Sequence, residues 1–298
     1  GRTALMEHDS THPRYAVLVN TSDGFEDCWE PFFIFMGRFW PDCTGRVYLN
    51  TEDKEYRGTR PGVVSVRGHA RSGVRRRLTW SECCLAALDA MTEEIVLYLQ
   101  EDYFFDAPVA NARVEELVDR MLADPQLHCI QLTPYGPPGG RPSGRYPDLG
   151  EIALDDKDRV SCQASLWRRE VLRSYLRRHE NAWNFEWFGS KRATYLGHNF
   201  FTLVTDQPVL PYLSTGVIGG RWHQDVPALF RTAGIEMPYE KRGFHVRRPK
   251  TLWERLRFRL KRLPTDIRSG GELAWLRWRR RGLGLPGGTV SNSGSANP

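Results

Sequence analysis

Two adjacent carboxylates, Glu101 and Asp102, follow directly on a short apolar stretch. The stretch from Ile95 to Leu99 is typical of a buried strand, and it continues through Gln100 into the two acids. In open α/β sheets, ligands bind in the crevice outside the carboxyl ends of the strands. A hard cation is commonly held by one or two carboxylates plus substrate phosphates. We therefore predict a metal and diphosphate site at residues 100–102; the alternative is a strand that simply exits into solvent.

Two earlier apolar stretches end in similar residues. The first, at 15–20, is followed by Thr21, Ser22 and Asp23, and the second, at 46–50, by Thr51, Glu52 and Asp53. In a parallel sheet, these ends and residues 100–102 converge on one crevice. The alternative is that Asp, Ser and Thr follow strands because they suit turns.

Strands and helices alternate along the chain. Expected strands span 15–20, 46–50, 95–99 and 128–132, and expected helices span 29–40, 114–122 and the apolar positions between 166 and 176. A capping box, formed by Thr79 and Glu82, starts a further helix. The alternation predicts an α/β fold with a mostly parallel sheet covered by helices on both faces.

A second group of candidate residues places two acids, Glu180 and Glu186, among aromatic side chains that include Trp183 and Trp187. Sugar rings stack on aromatic side chains, and a carboxylate among them can take a proton from an acceptor hydroxyl. An apolar surround can raise its pKa toward the working pH. The alternative is an exposed helix end with core tryptophans.

The composition is that of an ordinary globular protein, with 298 residues, 40% hydrophobic and 26% charged. The six cysteines show no metal-binding spacing and are expected to be reduced. We find no stretch of about 18 apolar residues that could span a bilayer and no signal-peptide pattern, so a cytoplasmic location is expected.

The net charge of +6 is unevenly distributed. Residues 241–281 contain fifteen Lys and Arg against three acids, whereas residues 1–240 carry a net charge of −6. We predict a flexible N-terminus at 1–13 and a catalytic domain at 14–240, with a nucleotide half at 14–106 and an acceptor half at 107–240. A basic helical extension at 241–281 and a disordered tail at 282–298 follow.

The strand ends, the acidic triplet and the later carboxylate together resemble a GT-A nucleotide-sugar glycosyltransferase, family 2-like and of bacterial polysaccharide or lipopolysaccharide type. The resemblance covers roughly residues 14–225, and it departs from the usual DxD triplet in having Gln100 at the first position. It implies a GT-A, Rossmann-like fold and a Mg2+ or Mn2+ ion bound at Asp102 and His223. It implies a catalytic base at Glu186, with Glu180 in reserve, and acceptor binding by Trp183 and Trp187. The nucleotide-sugar residues that it implies are Thr21, Asp23, Asp53, Arg77, Gln100, Glu101 and Arg221.

The expected reaction is a single displacement that moves a sugar from a nucleotide-sugar donor to a hydroxyl of a glycan or lipid-linked acceptor. If the reaction retains configuration, Glu186 only binds the acceptor. A nucleotidyltransferase and a non-catalytic carbohydrate-binding protein are the alternatives. A nucleotidyltransferase is expected to have a Gly-rich phosphate loop with a lysine after the first strand. This chain instead has the acidic segment 21–27 at that position.

The extension at 241–281 is predicted to hold a basic amphipathic helix that ends near Pro264 and a similar segment around Trp275 and Trp278. A basic helix with tryptophan suits an anionic membrane surface, which would place the protein peripherally on the cytosolic face. Packing on the catalytic domain and binding to nucleic acid are the alternatives, and no nucleic acid is expected because no recognised motif accompanies the charge.

Overall fold

The computed structural model describes residues 13–132, 141–205, 207–249 and 251–282. Most of the predicted N-terminal and C-terminal flexible segments lie outside these residues. The strands are β1 (Tyr15–Asn20), β2 (Arg46–Asn50), β3 (Val64–Ser65), β4 (Ile95–Gln100), β5 (Cys129–Gln131), β6 (Arg141–Pro142), β7 (Leu149–Glu151), β8 (Ser165–Arg168), β9 (Phe200–Leu203), β10 (Val217–Ile218) and β11 (Arg221–Trp222). The helices are α1 (Glu26–Phe39), α2 (Gly68–Ser72), α3 (Trp80–Ala90), α4 (Asn111–Ala123), α5 (Arg169–Tyr175), α6 (Ala182–Leu196), α7 (Val226–Arg231) and α8 (Leu252–Gly282).

Among the described residues, nine strands form one sheet in the order β3-β2-β1-β4-β8-β5-β9-β7-β6. Of these nine, β7 and β8 run opposite to the other seven. The order β3-β2-β1-β4 is the start of the doubly wound nucleotide-binding order, in which the crevice opens where the strand order reverses, beside β1 and β4. The predicted α/β, GT-A-like fold with a mostly parallel sheet is therefore confirmed.

Helices cover both faces of the sheet because successive side chains of a strand point to opposite faces. Tyr15, Val17 and Val19 of β1 pack into the core on the side of α1 and α4, whereas Ala16 and Leu18 pack into the core on the side of α3 and α5. All six residues of β1 are buried. A strand buried on both faces reads as a continuous apolar run, which is why the sequence predicted it correctly.

The helix start predicted at Thr79 is also confirmed. The Thr79 hydroxyl accepts a hydrogen bond from the amide of Glu82 at 3.2 Å, and the Glu82 carboxylate accepts one from the amide of Thr79 at 2.9 Å. Two further hydrogen bonds from Arg76, at 2.6 and 2.7 Å, and the capping bonds lower the pKa of Glu82 to about 2.

Two helix predictions were wrong. The apolar positions from 166 to 176 do not share one helix, because Ser165–Arg168 forms β8 and only Arg169–Tyr175 is helical. β8 pairs antiparallel with β4 and β5 in the centre of the sheet, so pairing partners distant in sequence determine its conformation. The C-terminal helix does not end near Pro264 but continues through it from Leu252 to Gly282.

The predicted boundary after residue 240 falls within the packing of the body. The amide of Trp222 donates to the carbonyl of Gly243 at 3.0 Å, and the amide of His245 donates to the carbonyl of Trp222 at 2.9 Å. The chain is therefore joined to the body up to His245, and the first two basic residues counted with the extension, Lys241 and Arg242, belong to the body.

Candidate active site

The structure brings the three predicted strand ends to one edge of the sheet. In the parallel pairing of β2, β1 and β4, Asn20 lies opposite both Asn50 and Gln100, so the three strands end at the same level. The side chains of the first two residues reinforce this alignment, since the Asn50 amide donates to the Asn20 carbonyl oxygen at 2.7 Å. Residues 21–23, 51–53 and 100–102 therefore surround one crevice, beside the position where the strand order reverses.

Asp23 joins the loops that follow β1 and β2. Its two carboxylate oxygens accept hydrogen bonds from the amides of Glu52 and Asp53, each at 2.9 Å, and from the amide of Lys54 at 3.1 Å. In return, the Asp23 amide donates to the Glu52 carboxylate at 3.1 Å. Asp23, which is predicted to bind the nucleotide, therefore also determines the shape of the crevice.

The other predicted nucleotide residues near β2 are held by protein partners as well. Arg77 donates to the buried Glu52 carboxylate through Nε at 2.7 Å. The Asp53 carboxylate contacts Nδ1 of His69 at 2.9 Å, and this hydrogen bond raises the pKa of His69. The Thr21 hydroxyl accepts a hydrogen bond from the indole of Trp29 at 2.9 Å.

A cleft of about 580 Å³ opens between the residues that follow β1 and the turn between β10 and β11. Acids and bases both line it, and its residues are Asp23, Gly24, Glu26, Asp27, Gly219, Gly220, Arg221, Lys241 and Arg242. Three basic and three acidic side chains line the cleft, and the basic ones suit the phosphate groups of a nucleoside diphosphate.

Arg242 holds the two walls of this cleft together. Its guanidinium donates to Asp27 at 2.6 Å, to the carbonyl of Gly24 at 2.7 Å and to the carbonyl of Gly220 at 3.3 Å. It also lies over the Phe25 ring, 4.7 Å from the centroid. Sequence reasoning missed Arg242 and Lys241 because the local excess of positive charge assigned them to the extension.

Glu101 and Asp102 are both buried at the end of β4. Oδ2 of Asp102 accepts hydrogen bonds from the hydroxyl of Thr215 and from the amides of Gly216 and Val217, at 3.0 to 3.1 Å. Burial raises the pKa of Asp102, and burial together with the nearby charge of Asp102 raises the pKa of Glu101 well above its ordinary value. Two buried acids side by side favour either a shared proton or a bound cation.

The residues around Asp102 fit a cation that shares its ligands with a substrate. Oδ1 of Asp102 is buried and has no hydrogen-bond partner among the described residues. Within the same residues, no three His, Cys, Asp or Glu side chains form a metal-binding group. His223 follows β11, and its amide donates to the carbonyl of Gly216 at 2.8 Å, while its Nδ1 lies 3.6 Å from the Asp225 carboxylate. Asp102 thus offers one carboxylate oxygen without a hydrogen-bond partner, and the remaining ligands would come from phosphate and water.

Glu186 lies on α6, and its carboxylate reaches back toward the end of β4. Its Oε1 accepts a hydrogen bond from the amide of Cys162 at 2.7 Å, and the carbonyl of Cys162 accepts one from the hydroxyl of Tyr103 at 3.0 Å. Tyr103 directly follows Asp102, so two residues, Tyr103 and Cys162, and two hydrogen bonds connect the two predicted carboxylates. Burial raises the pKa of Glu186, and the nearby charge of Asp158 adds to the rise.

The two predicted acceptor residues lie on the same helix as Glu186. Trp183 is 72% exposed and Trp187 is 49% exposed, so neither is the core tryptophan that the alternative reading required. The ammonium group of Lys191 lies 4.0 Å from the centroid of the Trp187 ring. Trp183 and Trp187 are thus two exposed indoles on the same helix as a half-buried carboxylate, an arrangement that suits a sugar ring, and Lys191 covers one face of Trp187.

Glu180, predicted as a reserve base, has a structural position instead. It is fully buried, and Oε1 accepts hydrogen bonds from Arg192 and from the hydroxyl of Ser269, the latter at 2.7 Å. A general base must come within hydrogen-bond distance of the acceptor proton. The Glu180 carboxylate has no solvent exposure and is hydrogen-bonded to residues of α6 and α8, so it does not reach an acceptor. Glu180 is therefore not a catalytic base.

We expect Glu180→Gln to destabilise the protein by about 2 kcal/mol, because it weakens a charge-assisted hydrogen bond to the buried Arg192. Arg192 keeps its second carboxylate partner, Glu272, at 3.2 Å, which limits the loss. The urea-unfolding midpoint measures the change, and Glu170→Gln on the exposed side of α5 is the control. A loss of activity per folded molecule in Glu180→Gln would contradict this structural role.

No family model and no curated protein matches the chain. Solved structures that resemble it include TarS of S. aureus, at 11% identity, with a TM-score of 0.42 over 77% of this chain and 41% of that one. A mannosyltransferase of Pyrobaculum calidifontis, in complex with GDP-Man and Mn2+, has 16% identity and a TM-score of 0.43 over 71% of this chain and 60% of that one. A CMP:2-keto-3-deoxy-manno-octonic acid synthetase complexed with CTP has 13% identity and a TM-score of 0.37 over 74% and 97%.

The chain spans less than two thirds of the length of the first two of these proteins. At these identities and scores, the likenesses bear neither on the reaction nor on the substrate. The GT-A-like fold rests on the strand order of the chain itself.

Proposed function

We propose that this protein is a glycosyltransferase that transfers a sugar from a nucleoside-diphosphate sugar to a hydroxyl group of a glycan or lipid-linked acceptor. One observation carries the proposal: the buried Asp102, whose Oδ1 has no hydrogen-bond partner among the described residues, is hydrogen-bonded to the segment 215–217 that leads to the cleft with three basic side chains. Through Tyr103 and Cys162 it is also connected to a half-buried carboxylate, Glu186. A donor diphosphate needs the first two features, and an acceptor hydroxyl needs the third.

The donor would lie across the crevice at the ends of β1 and β4. The loops joined by Asp23 would contact the nucleoside, together with Thr21 and Asp53. The diphosphate would extend into the cleft toward Arg221, Lys241 and Arg242, whose cationic groups suit phosphate oxygens. Gln100 and Glu101 border the same edge and would contact the ribose or the sugar.

A Mg2+ or Mn2+ ion would be held by Asp102, with His223 as a second candidate ligand, and by the diphosphate. Such an ion neutralises the charge that develops on the leaving nucleoside diphosphate. Asp102 also orients the chain from Thr215 to Val217 through three hydrogen bonds, and thereby positions the turn at Gly219 and Gly220 that borders the cleft.

Glu186 would take the proton from the acceptor hydroxyl as that oxygen attacks the anomeric carbon. The Cys162 amide fixes one oxygen of this carboxylate, and burial brings its pKa upward, toward the pH at which it must exchange a proton. The acceptor would stack on Trp183 and Trp187, which lie on the same helix as the base.

The test is thermal unfolding of the protein with UDP, GDP, dTDP, ADP, CDP or CMP, each with and without Mn2+. A ligand that binds only the native state raises the melting temperature according to its saturation. We expect one nucleoside diphosphate to raise it, and Mn2+ to increase that shift. Released nucleoside diphosphate in the presence of donor and acceptor would then identify sugar transfer, whereas released pyrophosphate from a nucleoside triphosphate would indicate a nucleotidyltransferase. No shift with any nucleotide would contradict the proposal and favour a carbohydrate-binding protein.

Arg221→Ala is expected to weaken binding of the nucleoside diphosphate by about tenfold, since one charge-assisted contact contributes about 1.5 kcal/mol. Arg221 is exposed and lines the cleft, so its removal should leave the melting temperature of the free protein unchanged. Isothermal titration measures the affinity. Arg231→Ala, which removes an exposed arginine on α7, is the matched control and should bind as the unmodified protein does. Equal weakening in both variants would show that only net charge matters.

A further inference from the structure

The helix α8 presents a stripe of apolar side chains to solvent along its whole length. Six of them lie three, four or eleven residues apart, and each is between 46% and 81% exposed. We call this set the apolar stripe, and its members are Leu252, Leu256, Leu260, Leu263, Ile267 and Trp278. Ala274, also exposed, continues it between Ile267 and Trp278. Side chains at this spacing share one face of a helix.

Most of the apolar stripe lies away from the body, because α8 contacts the body through a different face. Near the end of α8, Ala274 and Trp278 border a cleft of about 470 Å³ that Tyr195 of α6 also lines. Ser269 is fully buried and donates to Glu180, and Glu272 accepts hydrogen bonds from Arg177 at 2.8 Å and Arg192 at 3.2 Å. Each residue of an α-helix is rotated by about 100° from the one before. Ser269 and Ile267 therefore lie on nearly opposite sides of α8.

Positive charge flanks the stripe on both sides. Between Leu252 and Gly282 there are ten basic residues and three acids. Each acid already has an arginine partner: Glu254 pairs with Arg248, Asp266 with Arg262, and Glu272 with Arg177 and Arg192. By rotation along the helix, Arg259 and Arg277 fall on one side of the stripe and Arg257 and Arg268 on the other, and all four are exposed.

We propose that the apolar stripe of α8 docks on the surface of a lipid bilayer that contains anionic headgroups. An amphipathic helix with a basic polar face and exposed tryptophan binds in the plane of such an interface, with its apolar side chains at the level of the acyl chains. Trp253 and Trp278 lie near the two ends of the stripe and are 80% and 72% exposed. No helix in the described part of the chain is long and apolar enough to span a membrane. Docking of the apolar stripe on a bilayer does not depend on the proposed transferase activity.

Charge and spacing favour the bilayer over a second copy of this chain. Leu252, Leu263 and Ala274 repeat every eleven residues, a period close to that of a straight helix, which suits a flat surface. A left-handed coiled coil needs a seven-residue repeat. Pairing two copies through this stripe would also bring arginines of both copies together. Nucleic acid would contact the arginines but leave the apolar stripe in water.

The test is flotation of the full chain, without nucleotide, with phosphatidylcholine vesicles that contain or lack phosphatidylglycerol. We expect binding to the anionic vesicles and at least about tenfold weaker binding to the neutral ones. The double variant Leu260→Gln, Leu263→Gln should bind the anionic vesicles at least about tenfold more weakly, because two apolar side chains no longer enter the interface. Leu154→Gln replaces an exposed leucine of the body and should bind normally.

Three results would overturn the proposal. The first is no binding to anionic vesicles. Equal binding by the double variant would count in the same way, because it would show that charge alone is responsible for binding. The second is a dimer in sedimentation equilibrium that the double variant abolishes, which would assign the stripe to a second copy of this chain. The third is binding of a short DNA duplex that is stronger than vesicle binding and insensitive to the double variant. None of these results would bear on nucleotide binding in the cleft, so the two proposals can fail separately.

Discussion

Asp102→Asn should abolish the Mn2+-dependent part of the nucleotide thermal shift and reduce sugar transfer by roughly 100-fold or more. The reason is that Oδ1 of Asp102 is a buried carboxylate oxygen without a hydrogen-bond partner among the described residues, at the edge of the crevice, and the loss of its negative charge removes the group best placed there to hold a cation. A Lewis-acid contribution of several kcal/mol corresponds to a rate factor of this size. Transfer rates at saturating donor, with and without Mn2+, measure the effect.

Thr215→Val is the matched control for this prediction. It removes one hydrogen bond to Oδ2 of Asp102, at 3.0 Å, but leaves Oδ1 and the charge intact. If Asp102 acts only by holding the chain from Thr215 to Val217, both variants should lose activity to a similar extent and keep their response to Mn2+. If it holds the cation, only Asp102→Asn should lose that response. An Asp102→Asn protein that still responds fully to Mn2+ would contradict the metal role.

The crevice itself was accessible to sequence reasoning. β1, β2 and β4 are each nearly completely buried, so their sequences are continuous apolar runs that end where polar residues begin. Neighbouring parallel strands end at the same edge of the sheet, and the register places Asn20 level with Asn50 and Gln100. Local sequence was therefore enough to predict which residues meet at the crevice.

Contacts between distant segments were not accessible in the same way. β8 was mistaken for the start of a helix because an apolar strand runs without a break into α5, and its position is determined by pairing with β4 and β5. Glu180 looked like a base among aromatic residues, but Ser269, 89 positions later, and Arg192 bury its carboxylate. Arg242 was counted as part of a charged tail, although its guanidinium reaches Asp27, 215 positions earlier.

The packing of the C-terminal helix was likewise not predictable from local sequence. The sequence pattern correctly indicated a basic amphipathic helix, but it left open whether the apolar face packs on the body. The contacts of Ser269 and Glu272 answer that question, because they place polar residues of α8 against the body and leave most of the apolar stripe outside. Pro264 did not end the helix, since the segments on both sides of it have a helical pattern and the second is held by the body.

Glu186→Gln should lower the rate of sugar transfer by roughly 100- to 10,000-fold, the range expected for loss of a general base. Gln keeps the oxygen that accepts the hydrogen bond from the Cys162 amide at 2.7 Å, so the fold around the site should be preserved. Binding of the nucleoside diphosphate should be unchanged, because Glu186 lies on the acceptor side. Single-turnover rates and donor affinity, measured on the same preparation, separate the two effects.

Asp158→Asn tests the role of Glu186 as a base without replacing Glu186 itself. Burial and the nearby charge of Asp158 both raise the pKa of Glu186, so removing that charge should lower it. A base acts in its deprotonated form, and activity falls as the pH drops through its pKa. The acid limb of the pH–rate profile should therefore move to lower pH in Asp158→Asn, while the plateau rate stays the same. Asp158 is exposed, and its replacement should leave stability unchanged.

The two variants together distinguish the possible roles of Glu186. A large loss in Glu186→Gln with a shifted acid limb in Asp158→Asn indicates a base that titrates during turnover, as an inverting displacement requires. A raised acceptor KM in Glu186→Gln, with an unshifted limb in Asp158→Asn, indicates that the carboxylate only binds the acceptor, as a retaining reaction allows. Because the Cys162 amide fixes one oxygen of the carboxylate in either case, the shift of the acid limb is the more informative measurement.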